Sequence, residues 1–137
     1  MPGVHRLAAV ILLGMMNVAT ASLPPCPDSP NCVSIQATNK DQRVEPIAFT
    51  SPPQQALARL KQILTAMPRT RIVKEEGGYL HAEVRSFLFR FVDDIEFLID
   101  TERSLIHVRS ASRTGHSDFG VNRRRVEHVR KAFAGLE

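Results

Sequence analysis

Arg71-Ile-Val-Lys-Glu-Glu-Gly-Gly-Tyr-Leu-His-Ala-Glu-Val-Arg85 is the stretch that decides how this chain folds. Two runs of strand-forming residues flank Gly77-Gly78, a pair that can take the positive φ angles a two-residue hairpin turn demands. After the turn the alternation is clean: Leu80, Ala82 and Val84 point one way, His81, Glu83 and Arg85 the other. A third strand is expected over 89–99 and a fourth over 105–111, joined by the polar turn Asp100-Thr-Glu-Arg-Ser104. Such short connections imply an antiparallel meander, because parallel neighbours need long crossovers.

Outward from the hairpin lie two amphipathic segments. Upstream, Ala56, Leu57, Leu60, Ile63, Leu64 and Met67 recur at spacings of three and four between Pro52-Pro53, which a helix tolerates at its entry, and Pro68, which ends one. Downstream, a loop over 115–120 leads to a last helix through Val126, Val129 and Phe133, with Asn122 or a neighbour as its cap and Leu136 near its end. The expected fold is therefore α+β: an antiparallel four-stranded sheet packed by two helices over 53–137, preceded by an irregular, proline-rich arm over 22–52.

The first 21 residues read as a signal peptide. His5 and Arg6 precede the apolar run Leu7 to Met16, and Ala19-Thr20-Ala21 offers the small residues a signal peptidase recognises. That run falls short of the roughly 20 residues a permanent span needs, so no transmembrane segment is expected in the mature chain. Export to a periplasm or the exterior is the expectation. Removing the leader takes away Arg6 and no acid, leaving 17 basic against 14 acidic side chains, a balance of +3. So mild a balance lends nucleic-acid binding no support.

Cys26 and Cys32 are the only cysteines, six positions apart in the arm. In an oxidising compartment a disulfide is their simplest use. Two alternatives stand beside it: a lipid anchor at Cys26, although Pro24 and Pro25 occupy positions where small residues are usual, and a metal site, although structural zinc wants four ligands. No cofactor or resident metal is expected.

Alternation gathers His81, Glu83, Arg85, Arg90, Asp94, Glu96, His107 and Arg109 on the polar face of the sheet and sets Asp93 among phenylalanines and isoleucines. A buried carboxylate needs a donor, for which Arg113, the hydroxyls of Ser110 and Ser112 and the amides of the 114–120 loop are candidates. Arg109, Arg113 and Arg123, with Asp118 and Asn122 beside them, would suit an anion held near glycines and a helix start. Arg123, Arg124 and Arg125 sit about 100° apart on a helix, so they cannot all face one ligand. The blander reading pairs these arginines with Asp94, Glu96, Asp118 and Glu127 to lock the last helix onto the sheet.

Familiar catalytic patterns are missing: no Gly-x-Ser-x-Gly elbow, His-Glu-x-x-His, phosphate-binding loop or dinucleotide fingerprint. Thiols in the arm near His107 or His116, or Ser110, Ser112 or Ser117 near His116 and Asp118, have the residue types of a nucleophilic site without its spacing. Four motifs in order, Pro25-Cys-Pro-Asp-Ser-Pro-Asn-Cys-Val-Ser34, Val44-Glu-Pro46, Phe91-Val-Asp-Asp-Ile-Glu-Phe97 and Arg109-Ser-Ala-Ser-Arg113 continuing through Asp118 to Glu127, resemble the domain of unknown function 1499 family over nearly the whole mature chain. The resemblance implies a bacterial and plastid-lineage distribution and frequent export signals or membrane segments, and it transfers no activity. Where the family often carries an aromatic residue before Ser-Asp, this chain has His116.

Three functional readings remain open. The first is a non-enzymatic, exported binding domain for an anionic small molecule, envelope component or partner protein, with Asp93, Asp94, Arg109, Arg113, Asn122 and Arg123 at its site. The second is a hydrolase or metal-assisted enzyme built on Asp93, Asp94 and Glu96 with His107. The third is a purely structural envelope protein. Whether the chain is an enzyme, and its oligomeric state, are left undecided at this level.

Overall fold

The computed structural model describes residues 22–88, 90–115 and 117–137. The leader reading over 1–21, the start of the third strand at Phe89, and His116 lie outside the described residues. The element order is β1 (Cys32–Ser34), β2 (Ile47–Ala48), α1 (Pro53–Ala66), β3 (Thr70–Glu76), β4 (Tyr79–Arg85), β5 (Val92–Asp100), β6 (Leu105–Ser112) and α2 (Val121–Ala134). The fold is α+β, with an antiparallel sheet ordered β1-β6-β5-β4-β3 and β2 also pairing with β6. The expected meander β3 to β6 is present, but the sheet has six strands, not four. The arm supplies the additional two, pairing Val33 with Ser110 and Ile47 with Ile106.

Local chemistry accounts for the boundaries. Gly77 and Gly78 both hold positive φ, 54° and 84°, and close the β3–β4 hairpin where Glu76 faces Tyr79. Pro53 opens α1 without a side-chain cap, and Pro68 forces Met67 out of the helical region to ψ 136°, which ends it. At α2 the cap falls on a neighbour of Asn122, Gly120. Asn122 is a buried residue inside the helix, and the Asp118 carboxylate, just ahead of the cap, accepts hydrogen bonds from the Gly120 and Asn122 amides. Asn122 is needed elsewhere, so an acid upstream satisfies the open amides.

One face of the sheet carries Val33, Leu80, Ala82, Val84, Ile95, Phe97, Ile106 and Val108, and both helices cover it with Ala56, Leu60, Leu64, Val126, Val129 and Phe133. Burying a phenylalanine such as Phe97 or Phe133 contributes roughly 2 to 3 kcal/mol. The arm seals the β6 edge of this core with Val44, Ile47 and Phe49, all buried. The opposite sheet face carries His81, Glu83, Asp94, Glu96, His107 and Arg109.

Candidate functional site

Strand β5 sends consecutive carboxylates to opposite sides. Asp93 lies on the helix side, where the donor is Arg125, a correction to the donors expected from sequence: Arg125 Nη2 donates to Asp93 Oδ2 at 2.7 Å. The side chains are 9% and 13% exposed, so this is a nearly desolvated pair. Arg125 also donates to Asn122 Oδ1 (2.8 Å) and Ser110 Oγ (3.1 Å), while Ser110 donates to Asn122 Oδ1 at 2.6 Å. The Asn122 amide nitrogen donates to the Asn31 carbonyl, Ser112 Oγ and Asp118 Oδ2. One buried amide thus ties together the arm, β6 and the start of α2. Burial opposes ionisation of Asp118, yet hydrogen bonds from Asn122 and the Gly120 amide prevail and hold its carboxyl below the usual range.

On the open face, Arg113 clamps Asp94 with Nε and Nη2, each at 2.8 Å, and reaches Glu83 at 2.9 Å. His81 Nε2 lies 2.7 Å from the same Asp94. Arg113 accordingly holds the carboxyls of Asp94 and Glu83 below their ordinary values, and they raise its own. Glu96 sits opposite Arg109 at 3.9 Å, and burial, with Glu96 close by, pushes the Tyr79 phenol up to about 12. Asp100 lies 3.3 Å from His107. Glu96 Oε2, Arg109 Nε and His107 Nδ1 are buried without a hydrogen-bond partner among the described residues, an array that suits hydration of the sheet face.

The expected candidates therefore divide into two sets. Asp93, Ser110, Ser112, Asp118 and Asn122 form the helix-side network, Asp94, Glu96, Arg109 and Arg113 belong to the open face, and Arg123 stands apart, donating to the Asp41 carbonyl at 2.8 Å. With Asp93 behind the sheet from Asp94 and Glu96, the three carboxylates do not converge. Among the described residues no group of three or more His, Cys, Asp or Glu is arranged to hold a metal. Cys26 and Cys32 form a disulfide. A sulfur in that bond can neither carry a lipid nor act as a thiol nucleophile.

Sequence reasoning set Arg85 and Arg90 on the polar sheet face but missed the cluster they form with Arg69 and Arg71. A cavity of about 570 Å³ at the β4–β5 end of the sheet is lined by Arg69, Arg71, Arg85, Arg90, Thr70, Ser86 and Phe87, with no acid among them. Arg69 and Arg90 hold φ of 53° and 52°, a left-handed conformation that costs a side-chain-bearing residue roughly 1 kcal/mol or more. Arg69 also lies over the Phe87 ring at 5.6 Å and donates to the Arg85 carbonyl. Glu83 is the nearby carboxylate, 3.6 Å from Arg71 and 3.9 Å from Arg85, but its short contact is with Arg113. The signal was available: Arg69 immediately precedes β3 and Arg71 is its second residue, Arg85 ends β4, and an antiparallel hairpin brings those ends together.

A family model described as protein of unknown function (DUF1499) matches residues 22–133, which takes in the arm, every strand and all but the last residue of α2. The chain belongs to the DUF1499 family. The disulfide, both polar networks and the arginine-lined cavity of this DUF1499 chain all fall inside the matched span. No curated protein matches the sequence.

Proposed function

We propose that this DUF1499 chain is a binding domain for an anionic group, and that Arg69, Arg71, Arg85 and Arg90 receive it. The observation that carries the reading is the cavity with four guanidiniums and no lining acid. Like charges held together repel, and a phosphate or carboxylate accepting two parallel N–H bonds from one guanidinium relieves that repulsion. The arginines first singled out, Arg109, Arg113 and Arg123, have protein partners and serve the framework in this reading, together with Asn122 and the Asp93 and Asp94 pairs. Export to an oxidising compartment belongs to the same proposal, supported by the Cys26–Cys32 disulfide and the apolar leader. Among the described residues no helix is long and apolar enough to cross a membrane.

Thermal unfolding in increasing inorganic pyrophosphate tests the proposal. A ligand that binds only the folded state raises the melting temperature in proportion to the logarithm of its concentration once it exceeds Kd. The melting temperature should rise in the native protein and stay level in Arg71→Gln/Arg85→Gln. An equal rise in both proteins, or none in either, would sink the reading.

A further inference from the structure

We infer that the arginine-lined end is a membrane-docking surface: Phe87, Leu88 and Phe119 enter the acyl boundary of a bilayer while Arg69, Arg71, Arg85 and Arg90 hold anionic lipid phosphates around them. The inference rests on the anion-binding reading above and adds the source of the anion, a lipid headgroup in an intact bilayer rather than a free phosphate.

Three observations converge on it. First, among the described residues the exposed large apolar side chains are Val73, Phe87, Leu88, Phe91, Phe119, Val121 and Leu136, and five of these belong to the β4–β5 connection and the start of α2. Those segments share one end of the sheet, because Asp93 pairs with Ser112 and the Arg113 amide donates to the Val92 carbonyl. Second, exposures of 77% for Leu88 and 86% for Phe119 describe protruding tips, and Phe87, 76% exposed, stands at the open rim of the arginine-lined cavity. Apolar tips on two neighbouring loops suit insertion into a fluid boundary better than a fit to a shaped partner. Third, the charge is complementary to an anionic headgroup layer. The acids at this end are committed internally, Glu83 and Asp94 to Arg113, Asp93 to Arg125 and Asp118 to Gly120 and Asn122, whereas the cavity arginines are in surplus. Arginine stems can lie along apolar surface with the guanidinium at phosphate level.

The backbone presents these tips deliberately. Of the four described non-glycine residues with positive φ, Arg69, Arg90 and Phe119 lie at this end, and only Ser104 lies elsewhere, in the β5–β6 turn. Arg124 donates to the Phe119 carbonyl at 2.8 Å, holding that tip against the start of α2.

Sedimentation with vesicles of phosphatidylcholine alone, and of phosphatidylcholine mixed equally with phosphatidylglycerol, tests the inference on the purified protein. Partition onto the mixed vesicles should exceed that onto neutral ones, and should fall about tenfold or more in Phe87→Ser/Leu88→Ser and in Arg71→Gln/Arg85→Gln. Because Leu88 and Phe119 are exposed and do not line the cavity, Leu88→Ser/Phe119→Ser should lose vesicle binding while keeping both its melting temperature and its pyrophosphate response. The chain has no tryptophan, so Phe87→Trp provides a single reporter. Its emission should shift to the blue on mixed vesicles and be quenched by bromine on the acyl chains. Vesicle binding unaffected by Phe87→Ser/Leu88→Ser, or a bound but unquenched Trp, would overturn docking by these tips. Absence of vesicle binding with the pyrophosphate response intact removes the membrane inference alone; loss of both removes the anion-binding reading beneath it. Self-association abolished by Phe87→Ser/Leu88→Ser, without vesicle binding, would assign the surface to a second copy of the chain and overturn the inference as well.

Discussion

Two arginine-rich regions of this molecule use the same side chain in opposite ways. Around Asp93, Arg125 is 9% exposed and its guanidinium bonds Asp93, Asn122 and Ser110, so the charge is neutralised and the geometry closed. At the β4–β5 end, Arg69, Arg71, Arg85 and Arg90 surround a cavity with no lining acid, and the Arg71 side chain is 74% exposed. The first arrangement can serve as framework because nothing more can be added to it. The second has capacity left over, and leftover capacity is what a binding surface requires. Arginine number is therefore a poor guide to function; the partners already taken decide.

The contrast is broken most forcefully at Arg125. Arg125→Met leaves Asp93 buried and uncompensated, and the fold should lose on the order of 3 kcal/mol in chemical denaturation. Adding Asp93→Asn to Arg125→Met should recover part of that loss, because no ionised group then remains unpaired. A double variant as unstable as the single one would show that the pair matters through packing, not charge. The disulfide comes next. By loop-closure entropy, removing it with Cys26→Ser/Cys32→Ser should cost about 2 kcal/mol, read from the same denaturation curves.

Titration sharpens the comparison further. Arg113 holds the Asp94 carboxyl below its ordinary value, so the folded protein binds that proton less readily than the unfolded chain does. The corresponding stability is full above the unfolded carboxylate range and is lost as pH falls through the folded value. Melting temperature should decline below about pH 4, and less steeply in Asp94→Asn. Tyr79 has the reverse sign. With its phenol pushed up to about 12, stability is full below the unfolded value near ~10 and is lost as pH rises from there through the folded value. Since the chain has one tyrosine and no tryptophan, phenolate absorbance reports Tyr79 alone, with a midpoint near about 12 that drops in Glu96→Gln. An unshifted midpoint would contradict the packing of Tyr79 against Glu96. The smallest stability effect belongs to the surplus set: Arg71→Gln/Arg85→Gln should change stability by less than about 0.5 kcal/mol, because these exposed groups have only long contacts to Glu83.

Much of this was legible beforehand, and the exceptions have physical causes. The hairpin at Gly77-Gly78, the helix between Pro53 and Pro68 and the faces of β4 and β6 follow from turn chemistry and periodicity over seven or more residues. Strands β1 and β2 have three and two residues, too few to display alternation, and exist because β6 offers an edge to pair with. The need for a donor at Asp93 could be read from its position among apolar residues. Its identity could not, because helix phase decides which of Arg123, Arg124 and Arg125 turns inward. Arg85 and Arg90 could be set on the polar face from alternation, but their convergence with Arg69 and Arg71 could not, because the four are dispersed in sequence and meet only when the ends of β3 and β4 pair.

The measurement that tests the account most directly is calorimetric titration of inorganic pyrophosphate into three proteins: the native chain, Arg71→Gln/Arg85→Gln and Arg113→Gln. The account predicts saturable binding in the native chain and in Arg113→Gln, with binding lost in Arg71→Gln/Arg85→Gln. Binding lost in Arg113→Gln and kept in Arg71→Gln/Arg85→Gln would contradict it, and would move the site to the paired arginine on the open face.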